Sequence, residues 1–301
     1  MANSTCVIYN PAAGRGRSKK LLEKVRAWAD PNAELMPTSE VGHGVELARQ
    51  AAEAGYVKII AAGGDGTVHE VANGILRADR PGVVFGVWPL GSSNDYASAL
   101  GLKPWFRNRG EGIALATRLV DVGLLTRPGR TEYFVNCMGI GFNGMLALEA
   151  RKIRWLRGLP LYSLAFVRAM LWYYHTPNVR IRWDDVEQEV RTLSASVNLG
   201  QREGGFPITN MASLEDGLFD TVRVGNLKRW QLLRYLPNLI LGRLPKDHGK
   251  IVRGYCTGAH FSSEEPFCVH ADGEFFAKPE ESVHEFDVEL LPKHLRVEAY
   301  P

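Results

Sequence analysis

Cysteine is scarce and scattered. The four residues, Cys6, Cys137, Cys256 and Cys268, form no CxxC pair. That spacing speaks against a disulfide framework and a structural zinc site, and makes a reduced, cytoplasmic setting the expectation. The eight histidines show no HExxH or paired spacing, so nothing points to a zinc hydrolase. Ser92 and Ser93 have no His/Asp partner readable from sequence, which disfavours a serine hydrolase. A GxxxxGK[ST] segment is missing, and with it the P-loop class. Long hydrophobic runs are missing too. The most apolar stretch, Leu159 to Tyr174, is about one turn short of a bilayer span and carries Arg168. No transmembrane helix is expected, and the first residues show no signal-peptide h-region. Excess charge is small, at +3 with a pI near 8.6. A nucleic-acid partner is therefore not expected, although an anionic membrane surface would be tolerated. Internal repeats and low-complexity linkers are lacking.

What is present is a change of texture. The 301 residues, 45% hydrophobic, suffice for two modest domains or one large one. Over the first 120 or so residues, strand-like and helix-like patterns alternate. Thr5–Tyr9, Glu34–Met36, Val57–Ala62 and Val83–Trp88 read as buried strands. The helix after the third carries Val68, Val71, Ala72, Ile75 and Leu76, the spacing of one buried stripe. Repeated strand-loop-helix units predict a parallel, Rossmann-like sheet with right-handed crossovers. From about Val122 onward the pattern becomes short β runs: Tyr133–Met138, Val179–Trp183, Val186–Leu193, Ala195–Leu199, Phe219–Val224, Phe267–His270, Val283–Leu290 and Leu295–Tyr300. Helical segments near 145–175 and 228–241 interrupt them, and Asp184-Asp185 reads as a hairpin tip. An α/β domain followed by a mostly β domain is expected.

Gly63-Gly64-Asp65-Gly66-Thr67 is the strongest local feature. Glycines at a strand-to-helix turn let the backbone approach a ligand, with several amides facing one anion. Asp65 beside such a cradle repels phosphate unless a divalent cation lies between them; otherwise it caps the helix. Asn10-Pro11-Ala12-Ala13-Gly14 and Gly91-Ser92-Ser93-Asn94-Asp95 fall at the same sheet edge, where open α/β sheets bind ligands. Gly139 to Gly144 matches GxGxxG but lacks a following βαβ unit and its acidic residue, so a tight turn is expected there. Asp272-Gly273-Glu274 offers paired carboxylates, one for a substrate hydroxyl and one for a metal or a positioning partner. Asp-Gly is equally a common turn pair. Residues 213–220 form a second acidic turn able to present oxygens to a hard cation, or to serve only as a turn. Asn226 to Lys250 interleaves Lys228, Arg229, Arg234, Arg243, Lys246 and Lys250 with Trp230, Leu232, Leu233, Tyr235, Leu236 and Ile240. Residues 151–157 form a second basic-aromatic stretch. Both stretches suit an anionic lipid surface, or helices packed with a solvated basic face.

The ordered set of motifs resembles the diacylglycerol kinase catalytic-domain family, in particular the small bacterial lipid kinases. The residues that carry it are Asn10–Gly14, Thr38 with Gly42-His43, Gly63–Thr67 through Glu70, and Leu90–Asp95. They continue with Gly139–Asn143, Asn198 with Gly204-Gly205, Asp216–Asp220 and Asp272–Glu274, covering almost the whole chain. The resemblance implies a nucleotide-binding domain over residues 1–122, rejoined by about 291–301, and a β-sandwich lipid domain over 123–290. It implies an active site in a cleft between the two. ATP would contact Asn10, Pro11, Ala12, Ala13, Gly14, Thr38, Gly63, Gly64, Asp65, Gly66, Thr67, Glu70, Ser92 and Asn94. Asp65 would help hold a catalytic Mg²⁺ through water, and Glu274 would accept a proton with Asp272 beside it. Ser213, Asp216 and Leu218 match a structural Mg²⁺ site. The implied protein is an ATP-dependent lipid kinase, cytoplasmic and peripheral to the inner face of the membrane. Its acceptor would be a diacylglycerol-like or other long-chain alcohol, and a homodimer is allowed. NAD kinases share the Gly63–Thr67 pattern, which makes a soluble acceptor the nearest rival. A non-catalytic nucleotide-binding module is the other. Three positions depart from the family pattern. Asn210 stands where proline is usual, Asn143 where an acid is frequent, and Ser92-Ser93 replaces a threonine-containing pair while keeping a hydroxyl.

Overall fold

Strand and helix alternate from the first described residues onward, as the apolar periodicity requires. The computed structural model describes residues 5–12, 18–102, 115–153, 155–156, 158–240 and 249–301. They fall into two units, Met1–Asp121 with Lys293–Pro301, and Val122–Pro292. In the first unit the order is β1 (Thr5–Tyr9), α1 (Ser18–Trp28), β2 (Glu34–Pro37), α2 (His43–Glu53), β3 (Lys58–Gly63), α3 (Asp65–Arg77), β4 (Val84–Pro89) and α4 (Asp95–Ala99). The strands run parallel in the order β2-β1-β3-β4, with register pairs Tyr9↔Pro37, Tyr9↔Ala62 and Gly63↔Pro89. Parallel strands in register end together, so their carboxyl-terminal loops share one edge. The final strand, β17 (Glu285–Ala299), adds its end to β4 through Val297↔Phe85, also parallel.

Burial explains the sheet. Ile59, Ile60, Ala61 and Ala62 of β3 are all buried, the signature of a strand covered on both faces. On one side Val7, Val25, Ile60, Ala62 and Trp88 form a cluster, in which Trp28 meets Trp88 edge-on at 5.8 Å. The predicted stripe of α3 is buried throughout.

The second unit is β-rich. It holds β6 (Arg130–Phe134), β7 (Cys137–Gly141), α5 (Phe142–Lys152), α6 (Gly158–Trp172), β8 (Asn178–Trp183), β9 (Val186–Asn198), the short pair β10 (Arg202–Glu203) and β11 (Phe206–Pro207), and β12 (Phe219–Gly225). After these come α7 (Arg229–Ile240), β13 (Ile251–Cys256), β14 (Gly258–Ser262), β15 (Val269–Ala271) and β16 (Glu274–Ala277). The unit boundaries fall inside β17 and inside β5 (Ala116–Arg127), which precedes β6. The early half of β9 pairs with β8, and its later half pairs with β7 on one side and β12 on the other. The β7–β9–β12 face packs on the helices through Phe142, Phe166, Met170, Val222, Leu232 and Ile251. Phe261 stacks on Phe286 at 4.9 Å and meets Trp183 edge-on at 5.4 Å.

Three differences from the sequence reading have physical causes. The run expected over Tyr133–Met138 is broken at Val135-Asn136, because those amides bond a side chain rather than a neighbouring strand. The two β runs expected over 186–199 join into β9, and those over 283–300 into β17. Strands β13 and β14 were not anticipated, since Gly254, Gly258 and His260 blur their alternation. The Asp184 hairpin tip is present, with φ 48°, and its carboxylate accepts the amides of Thr257 and Gly258 at 2.9 Å. Among the described residues, no helix is long and apolar enough to cross a membrane.

Phe261→Ala removes a fully buried ring from the β core. It should lower stability by about 3–5 kcal/mol, read as a lower urea midpoint with an unchanged slope.

Candidate active site

In the first unit the sheet edge gathers the predicted loops. Asn10 follows β1 and its Oδ1 accepts the Ala12 amide at 2.8 Å, while Thr38 follows β2 and donates its amide to Tyr9 O at 2.9 Å. Ala13 and Gly14 lie outside the described residues. At the ends of β3 and β4 the amides of Leu90 and Gly91 both bond Gly63 O, at 2.8 and 3.1 Å. The two loops then touch backbone to backbone. A Cβ on Gly91 would stand 2.5 Å from the Gly64 Cα, so the contact tolerates no side chain there. Asn94 closes its own loop, accepting the Gly91 amide and donating to Gly91 O, both at 2.9 Å.

Two of the predicted acids are engaged with backbone. Asp65 opens α3, and its carboxylate accepts the amides of Asn94 and Asp95 at 2.9 and 2.7 Å. Glu70, in α3, accepts the amides of Gly42 and Gly44 at 2.8 and 2.9 Å, tying the start of α2 to α3. Thr67 is buried beneath Gly63, whereas Ser92 stands exposed on the joined loops. The first-turn amides of α3, including that of Gly66, have no intrahelical carbonyl to bond, which leaves a ready anion site at this edge.

In the second unit Asp272-Gly273 is a two-residue hairpin turn between β15 and β16, with φ values of 51° and 87°. Positive φ at both central positions is the geometry of a type I′ turn, which Asp-Gly favours. The Asp272 carboxylate accepts three main-chain amides: Val135 at 2.9 Å, Asn136 at 2.9 Å and Cys137 at 3.0 Å. The hairpin register pairs Ala271 with Glu274, so Glu274 leaves the turn as the first residue of β16, half-buried. Ser213 and Asp216 each accept a nearby amide in the 213–218 turn, from Glu215 at 3.2 Å and Leu218 at 3.1 Å. Close by, burial pushes the Asp220 carboxyl above its ordinary pKa; Thr209 donates to its Oδ1 at 3.0 Å.

Sequence reasoning missed a buried contact behind this hairpin. His270 Nε2 lies 3.0 Å from Glu203 Oε1, and Asn143 donates to Glu203 Oε2 at 3.4 Å. The apolar residues around His270 gave no signal for it. Gly139, of the rejected GxGxxG, lies in β7 directly against the His270 ring. The four cysteines are buried, and burial raises Cys6, Cys256 and Cys268 to about 12, which leaves them inert as nucleophiles.

The model of the diacylglycerol kinase catalytic domain matches residues 4–125, and that of the YegS C-terminal NAD kinase beta sandwich-like domain matches residues 136–299. The chain belongs to the diacylglycerol kinase catalytic-domain family. A Chromohalobacter salexigens protein named "Probable lipid kinase YegS-like" is 34% identical over 79% of this chain and 76% of its own length. A Bacillus subtilis protein named diacylglycerol kinase is 29% identical over 89% of each chain. A solved structure of a diacylglycerol kinase from Bacillus anthracis str. Sterne shares the fold, with a TM-score of 0.70, 23% identity, and coverage of 99% of this chain and 97% of that one. Membership in this kinase family supports a phosphotransferase, and implies a nucleotide substrate and usually a divalent cation.

Asp272→Ala leaves three amides at the β6–β7 break without their carboxylate. The variant should lose about 2–3 kcal/mol or more, measured by urea unfolding. A loss below about 0.5 kcal/mol would mean that the turn holds without it.

Proposed function

We propose that this chain transfers the γ-phosphoryl group of ATP to the hydroxyl of a diacylglycerol-like or other long-chain lipid alcohol. The observation that carries the reading is the gathering of Asn10, Thr38, Gly63–Asp65 and Gly91–Asn94 at one edge of a parallel sheet. Two backbone loops locked together, beside a helix start, suit a chain of phosphates better than a single small anion. The names of the relatives support the lipid half of the proposal.

In this mechanism the loop amides and Ser92 bind and orient the phosphates, which is most of what phosphoryl transfer asks of a protein. Glu274 takes the proton from the acceptor hydroxyl, and that oxygen attacks the γ-phosphorus in line, with ADP leaving. Asp272 is a positioning residue: its oxygens hold main-chain amides and set where Glu274 emerges. Mg²⁺, when bound, neutralises charge on the transferring group. The donors present fit a hard cation, because they are oxygens only. Asp65, whose carboxylate accepts the Asn94 and Asp95 amides at this edge, would help hold the ion through water. Ser213, Asp216 and the Leu218 carbonyl would hold a second, structural ion. The protein would work on the cytoplasmic side, at the inner face of the membrane, with a homodimer allowed.

Incubation with γ-labelled ATP, Mg²⁺ and total lipid extract should yield one labelled lipid, identified by mass. Label found only in the aqueous phase would assign a soluble acceptor, as in NAD kinases, and no label in either phase would favour a nucleotide-binding module. Glu274→Gln should lower kcat by about 10²–10⁴-fold while ATP affinity stays within about twofold. Parent-like turnover in that variant would remove Glu274 from the mechanism.

A further inference from the structure

Five large apolar side chains on or beside the helices of the second unit face solvent. Trp155 is 76% exposed, Leu171 53%, Trp172 63%, Trp230 57% and Leu233 45%. None is left over from a poorly made core. The opposite faces of the same helices are well buried: Phe166, Ala169 and Met170 of α6 and Leu232 of α7 share one cluster. On α7 the positions Trp230, Leu233 and Arg234 follow i, i+3, i+4, which places them together on the outer face. The helices are also stitched to one another at this side. Lys152 of α5 donates to Tyr173 Oη at 3.1 Å, and the Arg229 guanidinium of α7 lies 5.1 Å over the Tyr174 ring just after α6.

Among the described residues, the charged side chains on and just before α7 are all cations. Lys228, Arg229 and Arg234 are exposed on and before α7. Arg168 lies 5.0 Å over the Trp172 ring and pairs with Glu149, and Lys152 pairs with the same carboxylate. Glu149 is buried, so two cations bracket one acid. The exposed acid Glu265 pairs with His175 at 2.7 Å.

We infer that this face, formed by the end of α5, the end of α6 and the start of α7, is a docking surface for an anionic phospholipid bilayer. Tryptophans beside lysine and arginine are the composition that sits at a bilayer's headgroup level, the indole body in the acyl boundary and its N–H toward water. The cations supply attraction to anionic headgroups, and the tryptophans and leucines supply insertion that charge alone does not give. Docking would hold the second unit at the source of a lipid acceptor, and that purpose rests on the lipid-kinase reading above.

The test is sedimentation of the full chain with vesicles, without nucleotide. Phosphatidylglycerol-containing vesicles should pull the protein down at low salt, and phosphatidylcholine vesicles should do so much less. Trp172→Ala/Trp230→Ala should weaken binding by about tenfold or more. Lys228→Glu/Arg234→Glu should weaken it by about thirtyfold or more. Both variants change exposed residues, and an unchanged urea midpoint would show that they stay folded. Binding that survives both variants would overturn the assignment. So would binding that the charge reversal abolishes and the tryptophan variant leaves intact, since that marks a general polyanion surface. Vesicle binding by a chain that labels no lipid in detergent micelles would sink the lipid-kinase reading while leaving the docking face standing.

Discussion

The Asp272 carboxylate is the fixed point of the second unit's candidate site. Between β6 and β7 the chain steps out of strand pairing for Val135 and Asn136, and three consecutive amides need acceptors. Asp272 meets all three from a position of positive φ that aspartate tolerates better than most residues. In return its own amide bonds Cys137 O at 2.8 Å, so the turn and the strand break brace each other. The hairpin register then determines where Glu274 leaves the sheet. Two carboxylates that look alike along the chain thus separate by environment into one that anchors and one that is presented.

The first unit repeats the device. Asp65 and Glu70 each accept two amides from loops far along the chain. A carboxylate solvated in this way has its charge partly matched by aligned N–H dipoles. That lowers the cost of placing acids at an edge suited to phosphate. It also makes the loops mutually dependent, since Asp65 holds the β4 loop while Gly63 O holds the same loop from behind. Loss of any one tie would loosen a shared surface, which is why the motif residues work as a set.

Periodicity along the chain revealed the parallel α/β unit, because buried stripes and glycine turns are local signals. The division of labour among the acids was hidden, because it depends on distant partners. Glu70 bonds residues 28 and 26 positions away, and Asp272 bonds one 137 positions away. No window around either residue contains that information. The same holds for the basic-aromatic segment near 226–250. Its amphipathic composition was readable, yet only packing shows that Leu232 is buried while adjacent Leu233 is exposed. Residues 241–248, with Arg243 and Lys246, lie outside the described residues. Strands β13 and β14 escaped for the opposite reason. Their pattern is weak, and they hold their place through pairing with β12, β8 and β17.

Asn143 shows how a departure from a family pattern can be compatible with the fold around it. Its amide reaches Glu203 Oε2 at 3.4 Å, and the other oxygen of Glu203 is 3.0 Å from His270. An acid at 143 in the same pose would set two carboxylates against each other at that distance. One of them would then have to hold a proton or turn away. With asparagine there, a single carboxylate faces one amide donor and one imidazole, and no like-charge contact arises. The charge is therefore carried by Glu203 at the end of β10 rather than by the first turn of α5. The asparagine and Glu203 belong together, and a change at either position has to be read against the other.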